Sequence, residues 1–449
     1  MSTARNASMN VFLRGLFVWM TCLLVGAAEP AAEHAILIDS LDALRNYAAK
    51  DNANVRLKPG TYRLDQADSS HFLRFTGHDS RFDLRGVKLL IDTKLFRQPF
   101  PRREQDSFYC AIDLVGDRIV FAGLTTENYG DLPGSQSRNK IFNVVGSGVV
   151  LRDIEITTSG SSPWGYGSLY GIGGGDVRKM NGIRVGYPAV GTRLINCRVH
   201  MRAMGHAIFV QGAVDTVIED CHVDGLLRPT NEILAEKSGY AFERGFKTRS
   251  PHFSEGVTVG PNGEILPNEM IALSEDGIRL YPQGGGDHAT GATTILRCTV
   301  RQMRRGICTG LGRAADRVID CEVRDCVSTG FNIGSGDVVE RCRADAKYAE
   351  ALSCPYVNSR AASVDLEILD SRGGLANDLV ATINGQHHAV ALRTLRPEFI
   401  PPGMVIELAT YRGYAYYQRN ATPTKTQDIR LRNATPAKVV TNGATLVAN

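Results

Sequence analysis

The chain has 449 residues, of which 43% are hydrophobic and 22% are charged. This balance excludes an intrinsically disordered chain and a polytopic membrane protein. The net charge of +4, from 51 basic and 47 acidic residues, is too small to indicate a nucleic-acid partner. Glycine is frequent, with 46 residues, and many glycine-containing turns favour a β architecture.

The N-terminal segment has the pattern of an export signal. Arg5 and Arg14 precede an apolar run from Leu16 to Val25, which is followed by small residues. The run is shorter than the ~20 residues of a transmembrane helix, so we predict a signal peptide over residues 1–28. We expect the mature protein to be secreted or periplasmic and to have no membrane association after removal of the signal.

The next segment predicts a helix that caps the rest of the fold. Asp39 and Ser40 offer an N-cap to a segment with Leu41 and Leu44 on one face. The following segment, 55–62, is predicted as a strand, a Pro-Gly turn and a second strand.

A short pattern then recurs with a period of about 23 residues, which indicates a repeat architecture. Each copy is a short strand interrupted by one cysteine, and the five cysteines are Cys197, Cys221, Cys298, Cys321 and Cys342. The longer interval between Cys221 and Cys298 contains an insertion. Before each copy comes a second strand with period-two alternation, and these strands align on Ile183, Ile208, Ile278, Ile307 and Phe331.

Two short strands in a repeat of this length bury their apolar faces only if each stacks on its equivalent one turn later. We therefore predict an all-β fold, a single-stranded right-handed parallel β-helix over residues 36–395, with an N-terminal capping helix and long loop insertions. Looser copies of the unit upstream and downstream give about ten turns. Residues 396–449, where the pattern loosens, are predicted to cap the open end. The signature of a leucine-rich repeat is missing.

The cysteine column also predicts a redox state. Without Cys22 in the signal segment an odd number of cysteines remains, which argues against a complete disulfide framework. Cysteines stacked on adjacent rungs, ~4.8 Å apart with parallel Cβ vectors, would form strained bridges. We predict free thiols that fill the core as small apolar side chains.

The capping helix and the Leu57-Lys58-Pro59-Gly60-Thr61-Tyr62 turn resemble the N-terminal opening of secreted right-handed β-helix proteins of the pectin-lyase-like superfamily. The resemblance implies the fold and an activity on polysaccharides, because most members are polysaccharide lyases and glycosidases. The paired aspartates and Arg-x-Lys of polygalacturonases are missing, as is the pectate-lyase Trp-x-Asp-His, so no family's catalytic residues are carried over.

Side chains that point outward from the aligned strands are candidates for substrate contact. In a solenoid they form one strip suited to an extended polymer. His206 and Asp276 occupy equivalent turn positions, so the carboxylate would fix the imidazole tautomer for base catalysis; the alternative is a turn-stabilising pair. The strip also carries Arg184, Arg279, Arg305, Phe209, Gln211 and Tyr281. Because arginine binds carboxylates bidentately, an anionic sugar is favoured, and a solvated charged face is the alternative.

Two insertions border this strip. The first, 161–176, contains Trp164 and Tyr166, which are predicted to stack on sugar rings or to pack within the loop. The second, about 226–274, contains Lys237 and Tyr240 as candidate proton donors or bases. Long loops on a rigid scaffold are usually functional.

These features predict a carbohydrate-active enzyme, and specifically a lyase that cleaves a uronic-acid-containing polysaccharide by β-elimination. Arg279 and Arg184 would neutralise the uronate, a task that Ca²⁺ also performs, although the sequence requires no cofactor and identifies no metal ligands. A glycoside hydrolase using two carboxylates is one alternative. A non-catalytic polysaccharide-binding or adhesin solenoid is another. We expect a monomer.

Overall fold

In the computed structural model the residues described are 35–67, 71–97, 110–133, 139–171, 176–248, 259–260, 262–374, 377–410 and 426–447. The predicted signal peptide lies outside them, as do residues 172–175 of the first insertion and residues 411–425 of the predicted C-terminal cap. Residues from Ile36 onward belong to one compact unit. No helix in the described part of the chain has both the length and the hydrophobicity of a membrane span.

The first strands are β1 (Ile36–Ile38), β2 (Asn54–Leu57), β3 (Gly60–Leu64), β4 (His71–Phe75), β5 (Arg81–Asp92), β6 (Cys110–Leu114), β7 (Val120–Tyr129), β8 (Leu132–Pro133), β9 (Asn139–Val144), β10 (Val150–Arg152), β11 (Glu155–Thr158) and β12 (Ser161–Ser162). The middle strands are β13 (Met180–Gly186), β14 (Arg193–Ile195), β15 (Arg198–Met201), β16 (Ile208–Gln211), β17 (Thr216–Glu219), β18 (His222–Asp224), β19 (Leu227–Pro229), β20 (Met270–Ala272), β21 (Asp276–Leu280), β22 (Gln283–Gly284), β23 (His288–Ala289), β24 (Thr293–Leu296) and β25 (Thr299–Arg301). The last strands are β26 (Arg305–Cys308), β27 (Arg317–Ile319), β28 (Glu322–Arg324), β29 (Thr329–Asn332), β30 (Val338–Ala344), β31 (Leu352–Cys354), β32 (Ser363–Ile368), β33 (Leu379–Ile383), β34 (Ala389–Arg393), β35 (Val405–Leu408), β36 (Arg430–Ala434) and β37 (Lys438–Val440).

The four α-helices of the described residues are short: α1 (Leu41–Ala48), α2 (Ser168–Gly171), α3 (Thr230–Leu234) and α4 (Tyr240–Glu243). The 3₁₀ segments are Thr93–Arg97 and Pro397–Phe399. Helix α1 begins where the sequence predicts, because the Ser40 side chain accepts a hydrogen bond from the Ala43 amide at 3.2 Å. Leu44 and Ala48 are buried against the first turns, so α1 covers apolar residues at this end of the coil.

Parallel strands stack into two long sheets, and the predicted parallel β-helix is confirmed. One sheet has twelve strands, one from each turn, and the other has nineteen. In the twelve-stranded sheet Ile183 pairs with Ile208, which pairs with Ile278, and the register continues through Ile307 to Phe331. All five of these side chains are buried in the core. The alignment from sequence therefore has the correct register across the large insertion.

The column cysteines lie in or near bends of the nineteen-stranded sheet, for example Cys197 between β14 and β15. The residue before each column cysteine has a positive φ, for example 51° at Asn196 and 54° at Asp220. Short polar side chains tolerate this conformation better than most. The bend turns Cys197 and its equivalents inward, and all five column cysteines are buried.

The coil extends beyond the predicted boundary at residue 395. Strand β35 pairs with β33, β36 pairs with β34, and β37 pairs with β35, all in parallel. The segment 396–449 therefore contributes a further turn rather than only a cap. Prolines at 397, 401 and 402 lie between strands and mask the period in the sequence.

Candidate active site

The predicted strip lies on the outer face of the twelve-stranded sheet, but its central part is not exposed. Arg184, Phe209, Arg279 and the Asp276 turn position are all buried. The prediction of a solvent-facing strip is therefore wrong for these turns. Alternation along a strand shows which side chains leave the core, but it contains no information on whether other segments cover them.

Asp276 is the centre of a buried charge cluster, which we define as Lys179, His206, Glu275, Asp276, Arg279, Arg304 and Arg305. The Asp276 side chain is 0% exposed. Its Oδ1 accepts hydrogen bonds from Arg304 Nη2 at 3.0 Å and Arg305 Nε at 2.8 Å. Its Oδ2 accepts from Arg279 Nη1 at 2.6 Å and Arg305 Nη2 at 3.0 Å. Burial alone would raise the pKa of Asp276, but the three guanidinium groups hold it well below its usual value.

Glu275 is the second carboxylate of the charge cluster. Its Oε1 accepts a hydrogen bond from Lys179 Nζ at 2.6 Å. Burial would raise its pKa, but Lys179, His206 and Arg304 lower it to about 2. Glu275 Oε2 is buried without a hydrogen-bond partner among the described residues, and it lies 3.4 Å from His206 Nε2. Both carboxylates of the charge cluster are thus ionised at neutral pH.

His206 and Asp276 lie together, but their relation differs from the predicted one. The Asp276 backbone N–H donates to His206 Nδ1 at 3.3 Å, whereas the Asp276 carboxylate lies 3.5 Å from that nitrogen and bonds to arginines. Desolvation lowers the pKa of His206 to about 3, so the ring is neutral. With Nδ1 accepting, the proton of the neutral ring is on Nε2. The backbone amide, and not the carboxylate, therefore selects the tautomer.

His206 Nε2 then donates to the Tyr281 hydroxyl at 2.8 Å. The Tyr281 ring also lies against the Arg279 guanidinium, 4.4 Å from its centroid, and edge-on to Phe209. Tyr281 as a whole residue is only partly buried, in contrast to His206, Glu275 and Asp276, which are buried. Desolvation raises the pKa of Tyr281, so the hydroxyl is protonated at neutral pH.

Two other predicted binding residues, Arg184 and Gln211, lie in strands β13 and β16 of the same sheet. Arg184 Nε donates to Gln211 Oε1 at 3.2 Å, and Arg184 Nη1 donates to Asn143 Oδ1 at 2.9 Å. Gln211 is half-buried. Arg305, in contrast, is 1% exposed and bonds to Asp276. Its predicted contact with substrate is therefore corrected to a role in holding Asp276.

The two insertions pack on each other around a second small hydrophobic core, which contains Tyr166, Tyr170 and Ile233. The Tyr166 hydroxyl donates to Glu236 Oε2 at 2.9 Å. Tyr166 is buried, so the structure assigns its ring to packing between the insertions and not to sugar stacking. Trp164 is 38% exposed and stays a candidate for stacking.

Of the two predicted proton-transfer residues of the second insertion, Tyr240 is held by other contacts. The Tyr240 hydroxyl donates to Asp176 Oδ2 at 2.6 Å, and Arg244 bonds to the same carboxylate at 2.9 Å. Burial and the Asp176 carboxylate raise the pKa of Tyr240 to about 12. Lys237 is exposed between α3 and α4. Tyr240 therefore joins the two insertions.

Sequence reasoning missed Lys179 and Arg304. Lys179 forms a parallel bridge with Met204 on the next turn, so extending the strand alignment by two residues would have placed it near His206. Arg304 directly precedes an aligned residue, Arg305, and only the bend at the start of β26 directs both side chains to Asp276.

No protein-family model and no curated protein matches the sequence. Several solved structures are similar to it over most of the chain. The pectate lyase Pel9A is 12% identical, with a TM-score of 0.39, over 91% of this chain and 73% of that one. A PL6 alginate lyase in complex with a trisaccharide is 11% identical, with a TM-score of 0.43, over 91% and 84% of the two chains. The polygalacturonase from Erwinia carotovora ssp. carotovora is 9% identical, with a TM-score of 0.42, over 93% and 95%.

The expected parallel β-helix fold rests on the strand pairing described above. No catalytic residue is transferred from these structures. The class defined by fold and site is a parallel β-helix protein with a buried charge cluster on the outer face of one sheet.

Proposed function

We propose that the protein is a secreted or periplasmic polysaccharide lyase that cleaves a uronic-acid-containing polymer by β-elimination. The observation that carries the proposal is the position of Tyr281, whose hydroxyl bonds to the neutral His206 ring and whose aromatic ring lies against the Arg279 guanidinium. This arrangement offers a proton donor directly beside a cation for the substrate carboxylate.

In β-elimination a base removes the C5 proton, the C5–H electron pair forms the C4–C5 double bond, and the C4–O4 bond breaks. The leaving oxygen takes a proton, which Tyr281 would supply. His206 Nε2–H would then stabilise the developing phenolate by hydrogen bonding, as Arg279 would by its charge. Arg279, with Arg184 farther along the face, would neutralise the uronate during proton abstraction. His206 acts here as a positioning residue, and Lys237 stays a predicted base.

A glycoside hydrolase is supported less well by this site. Hydrolysis requires one protonated carboxylic acid beside a carboxylate, whereas cations keep both Glu275 and Asp276 ionised. In the second insertion Glu236 accepts hydrogen bonds from Tyr166 and Arg228. An adhesin or binding solenoid would need neither a neutral buried histidine nor a bonded tyrosine.

Incubation of the purified protein with anionic and neutral glycans tests the proposal. A lyase produces an unsaturated sugar, which absorbs in the ultraviolet, together with new reducing ends. A hydrolase produces reducing ends alone, and an adhesin neither. On the polymer that is cleaved, Tyr281→Phe should reduce turnover by about 10²-fold or more. The matched control is Tyr62→Phe, a partly exposed tyrosine in β3 of the other sheet, which should keep wild-type turnover. Equal loss in both variants, or reducing ends without unsaturation, would contradict the proposal.

A further inference from the structure

A second polar cluster lies on the same outer face, several turns before His206. His71 in β4 pairs in register with Cys110 in β6, and Asp113 lies three residues farther along β6. The register from Cys110 through Lys140 and Asn181 to His206 spans three further strands. At ~4.8 Å per strand this places Cys110 about 14 Å and His71 about 19 Å from His206, so this cluster lies outside the charge cluster.

Three donor atoms of different chemistry converge at this point. His71 Nδ1 lies 3.1 Å from Cys110 Sγ and 3.4 Å from Asp113 Oδ2. All three donor atoms lie within 4.8 Å of one another. The side chains of His71 and Asp113 are 9% and 3% exposed, and Cys110 is fully buried.

A simple hydrogen bond does not account for this convergence. An imidazole nitrogen has either one proton or one lone pair in its plane, so it serves one partner well. Here a thiol and a carboxylate oxygen approach the same nitrogen. Four-coordinate zinc with ordinary bond lengths places its ligand atoms about 3.3–3.6 Å apart, and both measured separations fall within a few tenths of an ångström of that range.

The surroundings orient the carboxylate toward this point. Asn143 Nδ2 donates to Asp113 Oδ1 at 2.7 Å, so Oδ2 is the carboxylate oxygen that faces His71. Arg74 Nε is 3.4 Å from the same Oδ2, with a side chain that is 50% exposed. Hydrogen bonds that orient a ligating carboxylate are a usual feature of metal sites.

We propose that His71, Cys110 and Asp113 bind a divalent transition-metal ion of the zinc class. Nitrogen and sulfur ligands select such an ion over Ca²⁺ or Mg²⁺, which prefer oxygen. Three protein ligands leave one position of a tetrahedral ion for water or a substrate group. This proposal does not rest on the lyase activity proposed above, although Asn143 bonds both to Asp113 and to Arg184.

The test is metal binding by the full chain after treatment with a chelator. Equilibrium dialysis against ZnCl₂ should give one tightly bound ion per chain, and CoCl₂ should give the charge-transfer absorption of a cobalt–thiolate bond. Cys110→Ala should weaken zinc binding by at least about 100-fold, more than the loss of an outer-shell partner, and remove the cobalt–thiolate band. The matched control is Cys354→Ala, a fully buried cysteine in β31 of the same sheet, which should bind like the wild type.

Thermal unfolding gives a second readout, because an ion that binds only the folded state raises its melting temperature. Zinc should stabilise the wild type and Cys354→Ala but not Cys110→Ala. His71→Gln, which keeps Cys110, serves if Cys110→Ala does not fold, and it should also lose the bound ion. Absence of a stoichiometric ion in the wild type, or equal affinity in Cys110→Ala and Cys354→Ala, would overturn the proposal.

Discussion

At the scale of single residues, burial decides which arginine is available to a substrate. Arg279 and Arg305 both bond to Asp276, but the Arg279 side chain is 11% exposed and lies against Tyr281, whereas that of Arg305 is 1% exposed. The sequence places the two arginines one turn apart and gives no reason to separate their roles.

Replacement of the two arginines should therefore have different effects. Arg279→Ala should reduce turnover by about 10²-fold or more, because it removes a charge-stabilising donor, while Arg304 and Arg305 still hold Asp276. Arg305→Ala should lower the free energy of unfolding by about 3–5 kcal/mol, the usual effect of breaking a buried ion pair. Turnover on the cleaved polymer and urea unfolding measure the two effects. A folded Arg279→Ala variant with wild-type turnover would exclude Arg279 from the reaction.

A second residue-scale effect concerns a buried carboxyl group outside the charge cluster. Asp316 is buried, its Oδ1 accepts from the Thr293 amide at 2.8 Å, and its Oδ2 has no hydrogen-bond partner among the described residues. Desolvation, and then the charge of Asp337, raise the pKa of Asp316 to about 8. The unfolded value is ~3.9. Between these two values the folded chain binds more protons than the unfolded chain, so this group makes stability fall as pH rises.

Asp316→Asn should remove that dependence, since the amide cannot ionise and its oxygen still accepts from Thr293. The variant should gain stability over the wild type as pH increases from about 4 to 8, by at most about 1.4 kcal/mol per pH unit. Denaturant unfolding at several pH values measures the difference. A stability difference that is constant with pH would show that Asp316 is already ionised in the folded protein.

At the scale of elements, the alternation within each strand is a local property of the sequence, and some turns between strands also contain residues that favour their backbone conformation. Several turns have Asn or Asp at a position with positive φ, a left-handed conformation that these two residues adopt more readily than most. Other turns place residues in this conformation that do not favour it. Ala361, for example, is exposed and has a φ of 60°. Its amide donates to the Gln386 carbonyl at 3.0 Å, so the turn is fixed by pairing between coils and not by this residue.

Ala361→Gly should stabilise the protein by about 0.5–1 kcal/mol, because relief of the left-handed conformation exceeds the entropy that glycine loses on folding. The hydrogen bond to Gln386 is kept. The neighbouring Ala362 is buried with an amide that donates to His388 Nδ1 at 3.0 Å, so Ala362→Gly should destabilise instead. The melting temperatures of the two variants should move in opposite directions, and a common direction would contradict this explanation.

At the scale of the whole molecule, the core is one continuous column along the coil, and the cysteines are part of it. Cys298 N donates to Cys321 Sγ at 3.4 Å, and Cys321 N donates to Cys342 Sγ at 3.4 Å. These contacts confirm that the cysteines stack on adjacent turns. All nine cysteines of the described residues are free thiols and buried.

Alkylation without reductant should label all nine of these thiols once the protein is unfolded, and few of them in the native state, because a buried thiol is not accessible to the reagent. Mass spectrometry of the intact chain counts the labels. Three or more native disulfides would contradict the stacked column.

The sequence by itself determined the coil, because strand alternation, corner residues and the cysteine spacing are local properties that repeat every turn. Aligning Ile208 with Ile278 was enough to bring His206 beside Asp276 across the second insertion. Only the tertiary structure decided that this region is buried, that Tyr281 receives the His206 hydrogen bond, and that Lys179 and Arg304 belong to the same cluster. Those outcomes depend on side-chain direction and on cover by segments distant in the chain. Neither side-chain direction nor cover by distant segments follows the repeat of the sequence, so neither could be predicted from it.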